Sequence, residues 1–466
     1  MVRLPAEFEK RMREMLSEEE FCAYCRSLSE PARSGMRVNR LKCSTEDFRE
    51  LFDFSLTPVP WIDNGFFYEE NAVPGKNPYY YGGLYYLQEP SAMTPANLLP
   101  VSPGDKVLDL CAAPGGKSTE LAAKLNGTGL LVANDISNSR AKALLKNLEV
   151  FGVRNAVCLS EDTEVLSRRF PAFFDKILVD APCSGEGMFR KQPAIMKNWE
   201  QYGTGYYAKL QREILPRAVH MLAPGGLLLY STCTFSPEED EEMVSFVLKN
   251  YPEMELLPAV PSSERERYRS LGFRFGKPEW MKEPDSRVVN TVRLFPHCLE
   301  GEGHFIALFR KNGREAELTA PFRDFEREDR LPKELTEFLK LCHFPIDLSR
   351  IHRRQDSFYL IPEGTPDISG LRTLRSGLLL GEFHKKRFEP SQALASSMRP
   401  GEYEYTFSLP PGDERILRYL KCESIELPDS LPDGYVLIMA GSVSLGFVKK
   451  KGENIRNKFL PGWRYL

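Results

Sequence analysis

The chain is poor in the features that mark several large functional classes. Ten cysteines in 466 residues are too few for a disulfide scaffold, and in a reducing compartment they are free thiols. No apolar run approaches the ~20 residues that cross a bilayer. The opening Met-Val-Arg-Leu-Pro-Ala-Glu-Phe-Glu-Lys10 lacks the hydrophobic stretch of a signal peptide. A cytoplasmic location with no membrane partner is therefore expected. Positive charge is not in excess either: 62 Lys and Arg against 65 Asp and Glu give a net charge of −3. That excludes a general polycation but not a local basic face for nucleic acid. The GxGxxG fingerprint that cradles a dinucleotide pyrophosphate is missing. Cys22-Ala-Tyr-Cys25 has ligand spacing, but no second pair follows. Two thiols on a packed helix, and no metal, is the reading it supports.

The length suggests roughly three domains of about 150 residues each. Hydrophobic content of 42% and charged content of 27% are ordinary for a globular protein. Residues 1–95 form a first unit. Phe8, Met12, Met15 and Leu16 recur at helical spacing, with Phe21 and Tyr24 beyond. The alternation over residues 35–42 predicts a strand with one basic face, carrying Arg37. Tyrosines crowd residues 79–86; packing is favoured over base stacking.

From residue 96 to 312 strands and helices alternate. Strands are predicted at 107–110, 130–133, 156–159, 176–179 and 227–230. Helices follow at 117–125, over Ala141, Leu144, Leu145, Leu148 and Phe151, and at 210–221. Such units imply an α/β fold, a parallel sheet with helices on both faces. Segments 292–295 and 305–309 read as a closing hairpin, and 260–290 as a long insert over the site. Ser236, Pro237 and Glu239 spell a capping box that opens a helix. Residues 313–330 are charge-rich and read as a linker. Residues 331–395 begin with a helix around Leu335, Phe338, Leu339 and Leu341, followed by short strands. Residues 396–466 end in a tail from Lys449 with six basic residues against Glu453, interleaved with Phe459, Trp463 and Tyr465. That tail suits nucleic acid at least as well as a solvated face.

Three strand ends carry the candidate cofactor groups. Cys111, Ala112, Ala113, Pro114, Gly115, Gly116 and Lys117 form a small-residue turn that lets a ligand approach backbone N–H groups at a helix start. Asp135, twenty residues past Gly115, is placed to accept from a ribose diol. Asp162 follows the third strand, placed to reach adenine. A nucleoside cofactor without phosphates fits this set, and S-adenosylmethionine is the expectation. Two cysteines close two further strands: Cys183 in Asp180-Ala-Pro-Cys-Ser-Gly-Glu-Gly-Met-Phe189, and Cys233 in Tyr230-Ser-Thr-Cys-Thr-Phe-Ser-Pro-Glu-Glu-Asp-Glu241.

The segments DLCAAPGGK, VANDIS, DAPCSGEGMF and YSTCTFSPEEDE, with EPSAM at 89–93, resemble in order and spacing the Sun/Nop group of RNA cytosine carbon-5 methyltransferases. The resemblance covers about residues 1–312. The part beyond 330, ending in LGFVKKKGENIRNKF, resembles the C-terminal extension and PUA-like domain of bacterial 16S rRNA methyltransferases of the RsmF type. The resemblance implies a class I, Rossmann-like methyltransferase core, an N-terminal α+β RNA-binding unit and a C-terminal PUA-like domain. It makes Cys233 the nucleophile that adds to carbon 6 of the base. Cys183 then assists breakdown of the adduct, and Asp180 holds the cytosine ring nitrogen and exocyclic amine. That contact needs either a protonated carboxyl or an already protonated base. Lys117 stands near this acid, and Asp135, Arg140, Asp162 and Asp180 belong with the cofactor set.

Other readings stay open on the sequence. Cys183 follows Pro182 as the attacking thiol of DNA cytosine methyltransferases does, although Ser-Gly replaces their glutamine. An inactive RNA-binding module and a transfer-RNA substrate are the alternatives in function. An amino-methyltransferase would carry Asn/Asp-Pro-Pro-aromatic where this chain has Asp-Ala-Pro-Cys. The expectation is a monomeric enzyme acting on 16S rRNA or the small ribosomal subunit, with the target base turned out of its stack.

Overall fold

A computed structural model describes residues 4–52, 54–69, 71–313, 331–385 and 387–465. Apart from Gly313, the charged linker expected at 313–330 lies outside the described residues.

The centre is a ten-stranded mixed sheet. Five strands are parallel, in the spatial order Leu222–Thr232, Phe174–Asp180, Lys106–Asp109, Leu130–Asn134, Ala156–Leu159. Their alternating side chains build two apolar layers. Leu108, Val132, Val157, Ile177 and Val179 face one layer, and Val107, Leu131, Ala133, Leu178 and Leu229 the other. Each fully buried valine, leucine or isoleucine among them contributes about 1.5–3 kcal/mol. The helices Gly116–Leu125 and Asn138–Val150 cover the second layer. Thr163–Arg169, Ile195–Met221 and Glu241–Asn250 cover the first. The strand order reverses between Lys106–Asp109 and Phe174–Asp180. The crevice for a ligand therefore opens at the carboxyl ends of those two neighbours.

Antiparallel strands extend both edges. His304–Lys311 pairs with the Cys233 strand, and Val292–Leu294 pairs with it in turn as the expected hairpin. At the far edge Thr373–Ser376, from the C-terminal third of the chain, pairs with Ala156–Leu159. The 260–290 segment is built of short helical turns. It packs on the N-terminal helices through Trp280 Nε1, which donates to the Met15 carbonyl at 3.0 Å, and reaches Glu238 through Lys282 at 2.5 Å.

The N-terminal unit pairs helices Ala6–Met15 and Glu18–Ser27 with a four-stranded sheet. Its strand Gly35–Val38 does not present the basic face expected of it. Arg37 is 1% exposed and points into the core of the molecule. There Nε lies 3.0 Å from Glu120, Nη1 donates to the Gly116 carbonyl at 2.6 Å, and Nη2 donates to Thr119 Oγ1 at 2.6 Å. Alternation identified the side but not what covers it. The tyrosine cluster packs, as expected: Tyr79 and Tyr85 are buried. Gly83, at φ +66°, lets that loop approach the helix Asn138–Val150, where a Cβ would stand 2.2 Å from the Val150 carbonyl.

Two further four-stranded sheets make up the C-terminal part. The basic tail is partly engaged with its own domain and with the one before it. Lys458 pairs with Glu389 at 2.8 Å, Lys450 donates to the Leu431 carbonyl, and Phe459 is buried. No helix among the described residues is long and apolar enough to cross a membrane.

Candidate functional site

The two cysteine-bearing strand ends are laced together by short backbone links. Ala181 N–H donates to the Ser231 carbonyl at 2.8 Å, and Gly187 N–H to the Cys233 carbonyl at 2.9 Å. Glu186, buried, accepts from the Phe235 N–H at 3.1 Å and from Trp199 Nε1 at 2.8 Å, and also binds Arg11 of the first helix. The consequence is a fixed pair of thiols. Cys183 Sγ and Cys233 Sγ stand 3.3 Å apart. The hydrogen bond with Cys233, followed by burial, pushes the Cys183 thiol well above its ordinary value.

Asp180, at the end of its strand, accepts from Lys117 Nζ at 2.7 Å and from Ser231 Oγ at 2.8 Å. His304 Nε2 lies 3.5 Å from its other side. Burial disfavours the carboxylate, but the Lys117 ammonium and His304 outweigh it and hold Asp180 well below the usual carboxylate range. Lys117 is shifted upward by the same pair, which overcomes its own desolvation. The site therefore presents an ionised acid and a firmly charged lysine beside the two thiols.

The predicted capping box is not formed. The helix after Cys233 begins at Glu241, and residues 237–240 form turns. Glu239 is 0% exposed. It accepts from Ser184 N–H at 2.9 Å, from the Ser184 hydroxyl, and from Gln211 Nε2 at 3.1 Å. A carboxyl group engaged by Ser184 on the Cys183 loop and by Gln211 on the helix Ile195–Met221 is lost to local capping. Burial, with the neighbouring Glu186, pushes Glu239 up to about 8. The following acids also turn inward: Asp240 accepts from Thr232 Oγ1 at 2.6 Å, and Glu241 binds buried Arg293. The acidic run thus braces the turn behind Cys233.

The small-residue turn expected to hold the cofactor lies at the neighbouring strand end. Asp135 accepts from Ala113 N–H at 3.3 Å and Ser137 N–H at 3.0 Å, and Arg140 donates to the Ala113 carbonyl at 2.8 Å. Gly115, at φ +112°, turns the chain into the helix Gly116–Leu125, and a Cβ on Gly116 would press on Gln88 at 3.0 Å. Burial pushes the Cys111 thiol, at the start of this turn, well above its ordinary value. Asp162 stands three residues past its strand, where it caps the helix Thr163–Arg169 by accepting from Glu164 N–H at 2.7 Å.

The structure thus brings together Cys183, Cys233, Asp180 and Lys117, and gathers residues 111–117 with Asp135 and Arg140. Asp162 sits at the next strand end along. Sequence reasoning missed His304, Ser231, Ser184 and Glu239. His304 is a lone histidine on a hairpin strand, with no motif around it. Glu239 was visible as an acid, but the capping pattern claimed it.

Comparison with known proteins places each part of the chain. Residues 4–90 match the N-terminal domain of 16S rRNA methyltransferase RsmF, and 96–310 match 16S rRNA methyltransferase RsmB/F. Residues 337–398 match the first C-terminal domain of RsmF rRNA methyltransferase, and 406–465 the methyltransferase RsmF PUA domain. The Ribosomal RNA small subunit methyltransferase F of Escherichia fergusonii is 32% identical over 98% of this chain and 96% of its own. That of Vibrio parahaemolyticus is 34% identical over 83% and 80%. Among solved structures, a methyltransferase homolog protein from Pyrococcus horikoshii matches 65% of this chain and 94% of its own at 31% identity and a TM-score of 0.56. NSun6 from Pyrococcus horikoshii with SFG shares the fold at 22% identity and a TM-score of 0.55, over 67% of this chain and 99% of its own. With an α/β methyltransferase core between an RsmF N-terminal domain and a PUA domain, the chain belongs to the family of ribosomal RNA small subunit methyltransferases F.

Proposed function

We propose that the protein methylates carbon 5 of a cytosine in 16S rRNA, using S-adenosylmethionine and a covalent cysteine–cytosine adduct. The observation that carries this reading is the pair of thiols 3.3 Å apart beside the Lys117-bound Asp180.

The residues around the small-residue turn fit the cofactor. Asp109 Oδ1 is a buried oxygen with no partner among the described residues, and Asp135 keeps lone pairs for a diol beside two backbone contacts. Residues 111–117, Asp135 and Arg140 would hold the nucleoside, with Asp162 at its adenine end. Bound there, S-adenosylmethionine supplies an electrophilic methyl group.

Cytosine carbon 5 is a weak nucleophile until a thiolate adds to carbon 6. Cys233 Sγ forms that bond, and the electron pair of the 5,6 double bond becomes available at carbon 5. After methylation the carbon-5 proton leaves to a base, the double bond re-forms and the carbon–sulfur bond breaks. Cys183, within hydrogen-bond reach of Cys233 Sγ, assists this release. Cys233 is taken as the attacking group on the resemblance of its Ser-Thr-Cys motif to the Sun/Nop enzymes. The depressed Asp180 supports a carboxylate that accepts from the exocyclic amine, with the ring nitrogen already protonated. The N-terminal unit and the basic tail of the C-terminal domain would position the RNA through backbone contacts.

Bisulfite sequencing of ribosomal and transfer RNA from a strain lacking the protein tests the substrate. Loss of one or more 5-methylcytosines from 16S rRNA is expected; unchanged ribosomal RNA with a lost transfer-RNA signal would overturn the ribosomal assignment.

A further inference from the structure

A cavity of about 510 Å³ opens between the start of the second N-terminal helix and the 260–290 segment, within the ~300–1,000 Å³ range of ligand sites. Its charge is one-sided. Arg265, Arg269, Arg274 and Lys277 line it, against the single carboxylate of Glu20. That carboxylate is already engaged, accepting from Ser17 N–H and Oγ in a capping box. Arg269 pairs with Glu266 at 2.8 Å, whereas Arg265, Arg274 and Lys277 form no close ion pair among the described residues, Lys277 acting on Glu20 only through space. Aromatic faces hold two of these cations in place without neutralising them. The Arg265 guanidinium lies 3.8 Å from the Phe275 ring centroid, and Lys277 Nζ 5.2 Å from that of Trp280.

The inner wall of this cavity shares a buried aromatic core with the turn that carries Cys233. Phe295 lines it and stacks on Phe235 at 5.0 Å, two residues past Cys233. From this convergence we infer that the cavity binds the phosphodiester backbone of the RNA strand flanking the target base, with Arg274 and with Arg265 and Lys277, held by the Phe275 and Trp280 rings, on successive phosphates. Unpaired cations beside aromatic rings are the combination that single-stranded RNA recognises. The inference rests on the RNA-methylating role proposed above and adds where the strand lies.

The test is binding of unmethylated 16S rRNA at several salt concentrations, comparing wild type with Arg274→Glu/Lys277→Glu and with Arg274→Ala/Lys277→Ala. Wild-type melting behaviour identifies folded variants. The reversal should weaken binding at least tenfold and raise KM for RNA. The alanine pair should lower the slope of log K against log salt by about 1.4, roughly 0.7 for each single-strand phosphate no longer neutralised. Folded variants with wild-type affinity and slope would overturn the inference. So would tight binding of adenosine monophosphate alone to the wild type, abolished in the variants, which would give the cavity to a free nucleotide. If the variants fail to bind RNA while the wild type forms no 5-methylcytosine, the cavity stands and the proposed chemistry falls.

Discussion

The backbone N–H of Cys233 points at Cys183 Sγ from 3.3 Å, the same distance that separates the two sulfurs. That N–H favours the Cys183 thiolate, but the contact between the two sulfurs and burial outweigh it and raise the thiol. The hydrogen bond with Cys233 is the main reason the Cys183 thiol is raised, ahead of burial. In the proposed adduct Cys233 is bonded to carbon, that cause disappears, and Cys183 would exchange its proton more easily as the adduct breaks. The prediction is a shift in Cys183 reactivity. In Cys233→Ala, alkylation of Cys183 followed against pH by mass spectrometry should rise at lower pH than in the wild type. An unchanged or upward-shifted profile would separate the two thiols.

Lys117→Met should leave Asp180 half-buried without its cation. Methylation is expected to fall by about a hundredfold or more, the scale of removing one preorganised electrostatic contact. Stability should fall by about 1.5–3 kcal/mol at pH 7, as for removal of a charged hydrogen bond. Asp180 is depressed in the fold, so its contribution is present above its unfolded value near 3.9 and is lost as pH falls toward the folded value. Chemical denaturation at pH 7 and pH 3 should therefore show the gap between wild type and variant closing in acid.

Glu239 gives the opposite sign. Its carboxyl is raised to about 8 in the fold, so the folded state keeps a proton that the unfolded state releases above roughly 4.3. Its contribution is full below that value and declines as pH rises through 8. Glu239→Gln keeps the hydrogen-bonding shape and removes the titration. Its stability should be flatter than wild type from pH 5 to 8 in denaturant titrations. Glu239→Ala should cost about 1–3 kcal/mol through the unpaired Ser184 N–H.

Arg37→Met isolates Glu120 in the core between the N-terminal unit and the methyltransferase core. A loss of about 3–5 kcal/mol is expected, measured by urea unfolding. Arg37→Met/Glu120→Leu should recover most of it, because the penalty lies in the unpaired charge.

Local patterns were legible in the sequence, and long-range partnerships were not. The parallel strands, the turn at 112–116 and the two cysteine motifs are β-periodicity followed by small residues or a thiol. Cys183 and Cys233 stand out at strand ends, the resemblance to the Sun/Nop group adds Asp180 and Lys117, and the structure brings the four to one place. Arg37 and Glu239 mislead because each obeys a local rule, alternation in one case and capping in the other. A partner far along the chain overrides that rule, Glu120 for the first and Ser184 for the second. His304 has no local signature at all. It reaches Asp180 only because His304–Lys311 pairs with the Cys233 strand, a register that spans about seventy residues. The C-terminal strand Thr373–Ser376, joining the central sheet, is equally invisible in the sequence.

The division of labour between the thiols can be read from a denaturing gel. Cys183→Ala and Cys233→Ala would each be incubated with labelled 16S rRNA and S-adenosylmethionine. A covalent protein–RNA band should accumulate in Cys183→Ala and be absent in Cys233→Ala, which should also fail to methylate. A band that persists in Cys233→Ala and vanishes in Cys183→Ala would reverse the two roles.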